Sequence, residues 1–492
     1  MTSLGAAPTA PAAPSTRSVP GRTVLLVLLG LAVVQAAWIC VVAPYGGADE
    51  IEHAYRADAT AHGEFLPDYV VGPGGRGELL SVRESLVDAA RPECVALALA
   101  APDKCQPVER LDDGRVLVAS SAARYNPVFY AVIGTAALPF EGTAALYAMR
   151  ACTALICVLL LTWAFLVTAR RRSRWPTVGL LLAMTPVVTY SASVAAPNGV
   201  ELCAAMLAWC AGLAAVDRLR NGDQIGSSTL AALTVGLVLV GLPRTLGPLW
   251  VAVIVGALVL LAPAAQWAAA VRSRPRRWWA SICLVIASCG AGALWTMVSG
   301  ANQPKLEGLE FEGSPFPGIL IQPIVWLLQS IGVFPLRDEF APWPVYALVL
   351  AVWGALLFIA PRTALRRERL AVLVLVVGLT ALPVCLTLLT YSDLGFAWQG
   401  RYTWPAACGV ILILAESCRG DGSETDRVLL PAVLAMGAVV HVISQRSVQL
   451  GESTDAATAT AVGGLLVPML SVLGFGLLWL GLTRHRREPA RP

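Results

Sequence analysis

The sequence predicts an all-α polytopic membrane protein of about twelve transmembrane helices with a large first extracytoplasmic loop. Three observations carry this. Of the 492 residues, 57% are hydrophobic and only 14% charged, against roughly 25% charge in an ordinary soluble chain. The apolar residues come in blocks of about twenty, the length that crosses a bilayer, rather than in once-per-turn stripes. And every second connection between blocks is rich in arginine, the asymmetry that sets membrane orientation.

Taken in order, residues 1–22 are rich in Ala, Pro, Ser and Thr and read as a disordered cytoplasmic N-terminus. The run 23–43 follows Arg17 and Arg22. It is longer than a usual signal-peptide core, so a retained helix is expected. Further spans are expected at 145–169, 175–194, 199–216, 227–243, 246–265, 278–298, 343–360, 370–390, 402–417, 428–446 and 459–482. The transmembrane domain is thus 23–482, and 483–492 is a basic cytoplasmic tail. With the N-terminus inside, the clusters at Arg170–Arg174, Arg218–Arg220, Arg272–Arg277, Arg362–Arg369 and Arg419–Arg427 all fall on the cytoplasmic side. The opposite side receives the loops 44–144 and 299–342. Within them, 126–140 and 316–335 are apolar, and an extra crossing would break the arginine alternation, so both are expected as interfacial or re-entrant helices.

Most of the twelve cysteines lie in apolar blocks as small hydrophobic fillers, and no pair has metal-site spacing. Cys94 and Cys105 alone share a polar segment, where a disulfide and two free or buried thiols are both open.

Candidate chemistry starts just past the first span, in PYGGADEIEHAYRADATAHGEF. Glycines end the helix, and a short helix beginning at Asp49 or Glu50 would place one of them on a face with His53, extended by Arg56. A carboxylate at a cavity mouth serves as general base. Glu50 with His53 also has the donor types for a divalent metal, although nothing else in the chain supports a cofactor. The bland alternative is a solvated, N-capped helix with acids in its first turn.

A second interruption, SDLGFAWQGRYTWP, sets Gln399, Arg401 and Tyr402 at the extracytoplasmic start of a span. An arginine there suits a lipid phosphate through its planar fork, or else snorkels among aromatic anchors. Arg244 in GLPRTLGP raises the same question, and Pro197-Asn198 with Glu201 forms a fourth interruption. Four on one face suggest a shared cavity. Energy-coupled transport finds no GK[ST] phosphate loop, no inverted repeat and few charges within spans. The basic clusters are explained by topology, so nucleic acid is not an expected partner.

These residues carry a resemblance. The chain resembles the bacterial polytopic membrane family known as domain of unknown function 2142, and more distantly the C-type glycosyltransferases. Asp49, Glu50 and His53 match a Pro-Asp-Glu-x-x-His-like motif in which Ala48 replaces proline; Tyr125, Asn126, Pro127, Phe129 and Tyr130 loosely match a Pro-Pro-Leu-Tyr-Tyr-like stretch. Ser193, Pro197, Asn198 and Gly199 resemble a Ser-x-x-Pro-Asp-Gly-like turn, with Asn198 where an acid is usual, and Gln399, Gly400, Arg401, Tyr402 and Pro405 match a late Gln-Gly-Arg-Tyr-x-x-Pro signature.

The resemblance implies a membrane-embedded inverting glycosyltransferase of the bacterial inner membrane. It would move sugar from a polyprenyl-phosphate donor to an envelope glycan, glycolipid or glycoprotein outside the cytoplasm. Asp49 would be the base, with Glu50 the second choice; His53 and Arg56 would position it or touch substrate, and Arg401 would face the carrier phosphate. Asn198, Arg244, Gln399 and Tyr402 complete the expected substrate-binding set, with no metal ligand assigned. The alanine- and arginine-rich composition fits a genome biased toward such codons, and in an actinobacterial envelope an arabinofuranosyl donor would be the candidate. A transporter or flippase of a lipid-linked envelope intermediate is the alternative, and a non-catalytic assembly partner the third. A lateral cavity joining Asp49 to Arg401, closed on the cytoplasmic side, distinguishes a transferase from a carrier with a path through the bundle.

Overall fold

A computed structural model describes residues 19–66, 77–96, 105–301, 313–334, 339–418, 425–452 and 461–484. Most of the N-terminal tail expected to be disordered and of the basic C-terminal tail lies outside these residues. The chain is a multi-pass helical bundle. Among the described residues, eight helices are long and apolar enough to cross a membrane, or nine if one bent pair is a single span. They include α1 (Gly21–Val41), α5 (Gly142–Ala169), α8 (Pro197–Arg220), α12 (Pro275–Ser299), α15 (Trp343–Thr363) and α16 (Arg366–Leu394). The last two are α18 (Leu430–Glu452), entered through a π turn, and α19 (Ala461–Arg484).

The expectation of twelve full spans is therefore modified, and proline is the main reason. The segment 175–194 forms two short helices, α6 (Trp175–Ala183) and α7 (Pro186–Ser191). Pro186 cannot continue a helix through its ring nitrogen, and the preceding Thr185 is extended, as a residue before proline prefers. The groups freed by this break find partners. Thr185 Oγ1 donates to Ser330 O at 2.9 Å, and Val187 N–H to Ile331 O at 3.1 Å, which is how broken helices survive at membrane depth. The segment 246–265 forms α10 (Gly247–Leu261), which turns by 104° into α11 (Ala264–Ser273) at Pro263. The helix α9 (Ser227–Gly241) has 15 residues, and α17 (Gly400–Ser417) has 18.

Burial separates core from periphery. The apolar window of α8 is wholly buried, whereas that of α12 is 11% buried and that of α16 17%. Outward-facing Ile286, Met297, Phe358 and Leu389 are strongly exposed, a surface that water would penalise and lipid accepts. Glycines let α1 and α19 meet closely: a Cβ on Gly30 would fall 2.8 Å from Gly474 O.

The arginine-rich connections gather at one end of the bundle. Arg171 pairs with Glu416 and, at 3.3 Å, with Asp217. Arg220 pairs with Glu368 at 2.5 Å and donates to Leu261 O at 2.7 Å. Arg274 donates to Gln224 at 2.9 Å. These contacts tie the ends of α8, α10 and α17 to the start of α16, and they define an arginine face.

The opposite, loop face carries α2 (Glu50–Ala61), α3 (Glu84–Ala96) and α4 (Pro127–Ala137). It also carries a small sheet that the sequence reading did not anticipate, made of β1 (Glu78–Arg83), β2 (Glu109–Arg110) and β3 (Arg115–Ser120) in the antiparallel order β1-β3-β2. In β1 and β3 burial alternates along the strand, the period of a sheet with one covered face. That face lies on α2, held by Asp58 to Arg83 at 2.7 Å and by Ser121 N–H to Glu52 at 2.8 Å. Cys94 and Cys105 are joined as a disulfide, and so short a closure contributes about 2–3 kcal/mol. The apolar stretch 126–140 is the eleven-residue α4, and 316–335 supplies α13 (Phe316–Ile319) and α14 (Gln322–Gln329). Beyond α14 the chain enters the bundle, where Phe334 packs on Trp38 and Tyr190 with ring centres 5.1 and 5.2 Å away.

Candidate functional site

The site grows from the turn between α1 and α2. Helix α1 ends with unsatisfied carbonyls, and Arg150, inside α5, answers them: its guanidinium donates to Val42 O at 2.8 Å and Ala43 O at 2.6 Å. The same group clamps Glu50, Nε to Oε1 at 2.8 Å and Nη2 to Oε2 at 2.6 Å, with both side chains fully buried. Glu50 also accepts the Gly47 N–H at 3.1 Å and the Ala195 N–H, from the approach to α8, at 2.8 Å. Gly47 has no room for a side chain, since a Cβ would meet Glu50 Oε2 and Val194 at 2.8 Å. Every acceptor direction of this carboxylate is filled, so Glu50 builds the turn.

Asp49 sits between two fixed neighbours. The Ala48 N–H donates to Tyr190 Oη at 2.8 Å, and Glu50 is locked as described. Asp49 adopts the left-handed region, φ 57°, which Asp tolerates better than most residues. Although it stands at the N-cap of α2, its side chain makes no capping hydrogen bond. It turns instead to Arg401, with Nη2 3.2 Å from Oδ2, and remains 44% exposed while Arg401 is 10% exposed. Residues 352 positions apart thus meet on the loop face.

Arg401 is itself positioned with care. It is the second residue of α17, whose start is gripped by α14: Gln329 accepts the Gly400 N–H at 2.8 Å, and Trp326 donates to Trp398 O at 3.2 Å. A Cβ on Gly400 would lie 1.9 Å from Trp326 O, so only glycine admits this approach. The Tyr402 ring carries two guanidiniums, Arg401 at 5.6 Å and Arg244 at 5.1 Å from its centre. Arg244, between α9 and α10, has Nε 3.4 Å from Glu201 Oε2. A continuous chain results: Asp49, Arg401, Tyr402, Arg244, Glu201. Four buried atoms beside it have no hydrogen-bond partner among the described residues: Arg401 Nε, Gln399 Nε2, Asn198 Oδ1 and Glu201 Oε1.

The remaining expected residues form a support layer. His53 packs against two tyrosines: its Nδ1 lies 2.8 Å from Tyr130 Oη, and its ring lies 5.8 Å from those of Tyr125 and Tyr130. Burial pushes both phenols above their ordinary range, which keeps them protonated and uncharged. Arg56 is fully buried and donates to the Glu64, Phe65 and Tyr125 carbonyls, at 3.2, 2.7 and 3.0 Å. It holds the chain leaving α2 against the chain entering α4. Glu50 and His53 diverge, and no group of three His, Cys, Asp or Glu suited to a metal occurs among the described residues.

Arg150 was not among the expected residues, but its signal was present: a lone arginine six residues into the apolar span 145–169 demands a buried partner. Glu201, noted only as a neighbour of Asn198, proves to be the counter-charge of Arg244.

Fold and site together define a multi-pass α-helical membrane protein with a polar cluster at one end of its bundle. The chain belongs to the family described as predicted membrane protein DUF2142, whose pattern matches residues 32–410. That stretch contains all of Asp49, Glu50, Arg150, Asn198, Glu201, Arg244 and Arg401 and ends before α18. No curated protein and no solved structure matches the chain.

Proposed function

We propose that this protein is a membrane-embedded inverting glycosyltransferase of the bacterial inner membrane. It moves a sugar from a polyprenyl-phosphate donor to a hydroxyl of an envelope glycan or glycolipid on the extracytoplasmic side. The observation that carries the reading is the 3.2 Å approach of an outward-facing Asp49 to a buried, pre-positioned Arg401. Asp49 takes the acceptor's proton as its oxygen bonds to the anomeric carbon. The bond from that carbon to the phosphate oxygen breaks, and polyprenyl phosphate leaves with the electron pair. Arg401 and Arg244 neutralise the charge gathering there. A single base with no covalent nucleophile inverts the sugar carbon. Phosphate is a stable leaving anion, so no opposing acid is required.

A further feature supports the reading. At the arginine face the Arg171 and Arg220 ion pairs tie α8 to α16 and α17, and the apolar window of α8 behind them is wholly buried, as suits an enzyme that works from the opposite side. The reading places the loop face outside the cell and takes the chain through twelve crossings, with the broken α6–α7 pair, α9, α10 and α17 each counted as one. Single cysteines within residues 44–144 should then react with an impermeant reagent from outside the cell, and those near Arg172, Arg274 and Arg367 should not. Reaction of Arg274-region and first-loop probes from the same side would contradict this orientation.

One observation favours the alternative of a transporter or flippase. Between α1, α7, α18 and α19, both Gln35 amide atoms, Ser191 Oγ, Ser444 Oγ and Gln445 Nε2 are buried without partners among the described residues, near His441. Polar groups at membrane depth mark pathways in carriers.

Donor binding separates the roles of the arginines. Arg401→Lys keeps charge but loses the planar fork, and is expected to weaken donor binding about tenfold, Arg401→Ala more, with folding little changed. Unchanged affinity in both would move the phosphate to Arg244.

A further inference from the structure

We infer that Asn198 and Glu201, in the first turns of α8, form a subsite for the hydroxyls of the transferred sugar. The inference rests on the donor reading above and adds to it the direction in which the donor lies. A phosphate only accepts hydrogen bonds, whereas sugar hydroxyls must also donate. The unpartnered groups of the site are sorted by this same chemistry. On the α17 side stand two free donors, Arg401 Nε and Gln399 Nε2; on the α8 side stand two free acceptors, Asn198 Oδ1 and Glu201 Oε1. All four belong to residues more than nine-tenths buried. A buried polar atom left unpaired is costly, so four sorted in this way point to a ligand with an anionic end and a hydroxyl-bearing end.

The geometry joins the two sides. Asn198 and Glu201 are three residues apart on one face of α8. Arg244 holds Glu201 by Oε2 at 3.4 Å, which leaves Oε1 to accept, and the same guanidinium stacks on Tyr402 beside Arg401. The Ala195–Glu50 hydrogen bond anchors the approach to α8 to the turn that carries Asp49. With phosphate at Arg401 and the ring toward α8, Tyr402 lies between them.

The test measures binding of full-length protein in nanodiscs to undecaprenyl phosphate alone and to undecaprenyl phosphate carrying glucose, mannose or arabinofuranose. The wild type should bind one of the sugar-bearing lipids at least tenfold more tightly than the bare lipid. Glu201→Gln should erase that increment, a loss of about ten- to hundredfold for a hydrogen bond to a charged acceptor. It should retain or strengthen undecaprenyl phosphate affinity, because Arg244 loses the carboxylate 3.4 Å away that competes with a phosphate for it, and that retained binding certifies a folded site. Asn198→Ala, which disturbs no ion pair, should remove a smaller part of the increment. Equal losses for bare and sugar-bearing lipids in Glu201→Gln would reduce Glu201 to a counter-ion of Arg244 and overturn the subsite. So would a wild type that binds every lipid alike, and that outcome would leave the phosphate and base assignments standing. A wild type that binds none of the four would overturn the donor reading itself.

Discussion

Asp49→Asn is expected to lower turnover of folded protein by about 10²–10⁴-fold, the usual contribution of a general base. Asparagine keeps the size of the side chain and accepts the left-handed backbone at φ 57° as readily as aspartate, so the turn survives. What disappears is the site that takes the acceptor's proton, a loss confined to the transition state. Donor binding should be retained or strengthened, because Arg401 loses the carboxylate 3.2 Å away that competes with a phosphate for it. Turnover is measured at saturating donor and acceptor, and donor affinity separately. Near-normal turnover would remove Asp49 from the chemistry.

Arg150→Met is expected to be the most destabilising single change in the loop-face turn, by about 3–5 kcal/mol. It leaves Glu50 fully buried with no counter-charge and strips the Val42 and Ala43 carbonyls of their donor. Glu50→Gln should be milder, since its amide oxygen can still accept from Gly47 or Ala195 while Arg150 keeps the Ile39, Val42 and Ala43 carbonyls. Its turnover should fall only as far as the turn loosens, well short of the Asp49 defect. Reversible unfolding in mixed micelles checks the stabilities. A stable Arg150→Met protein would mean that the ion pair does not build the turn.

Much of the bundle was legible because lipid imposes one simple rule on sequence: long apolar runs with arginines at alternate ends. The broken spans were written in Pro186 and Pro263, yet hydropathy averages over a proline and cannot see where a chain bends. The sheet of the first loop was missed because β1 and β3 are six residues each, and their alternation is no stronger than that of an amphipathic loop. Asp49 and Arg401 were readable one at a time as polar residues at span ends. Topology put both on one face and suggested a shared cavity, but their direct pairing was not legible, since nothing local encodes a contact across 352 positions. The division of labour between Asp49 and Glu50 was equally hidden. Adjacent acids read alike until Arg150 claims one of them, and that claim comes from the middle of a span a hundred residues away.

The central claim is tested most directly by reconstituting the protein in vesicles with undecaprenyl-phosphate sugars and an envelope acceptor, and by following sugar and lipid separately. The account predicts sugar on the acceptor, with inverted anomeric configuration and undecaprenyl phosphate released in equal amount, in wild type but not in Asp49→Asn. Passage of intact lipid-linked sugar from one leaflet to the other, with no acceptor glycosylated and no difference between the two proteins, would contradict it and make the protein a carrier.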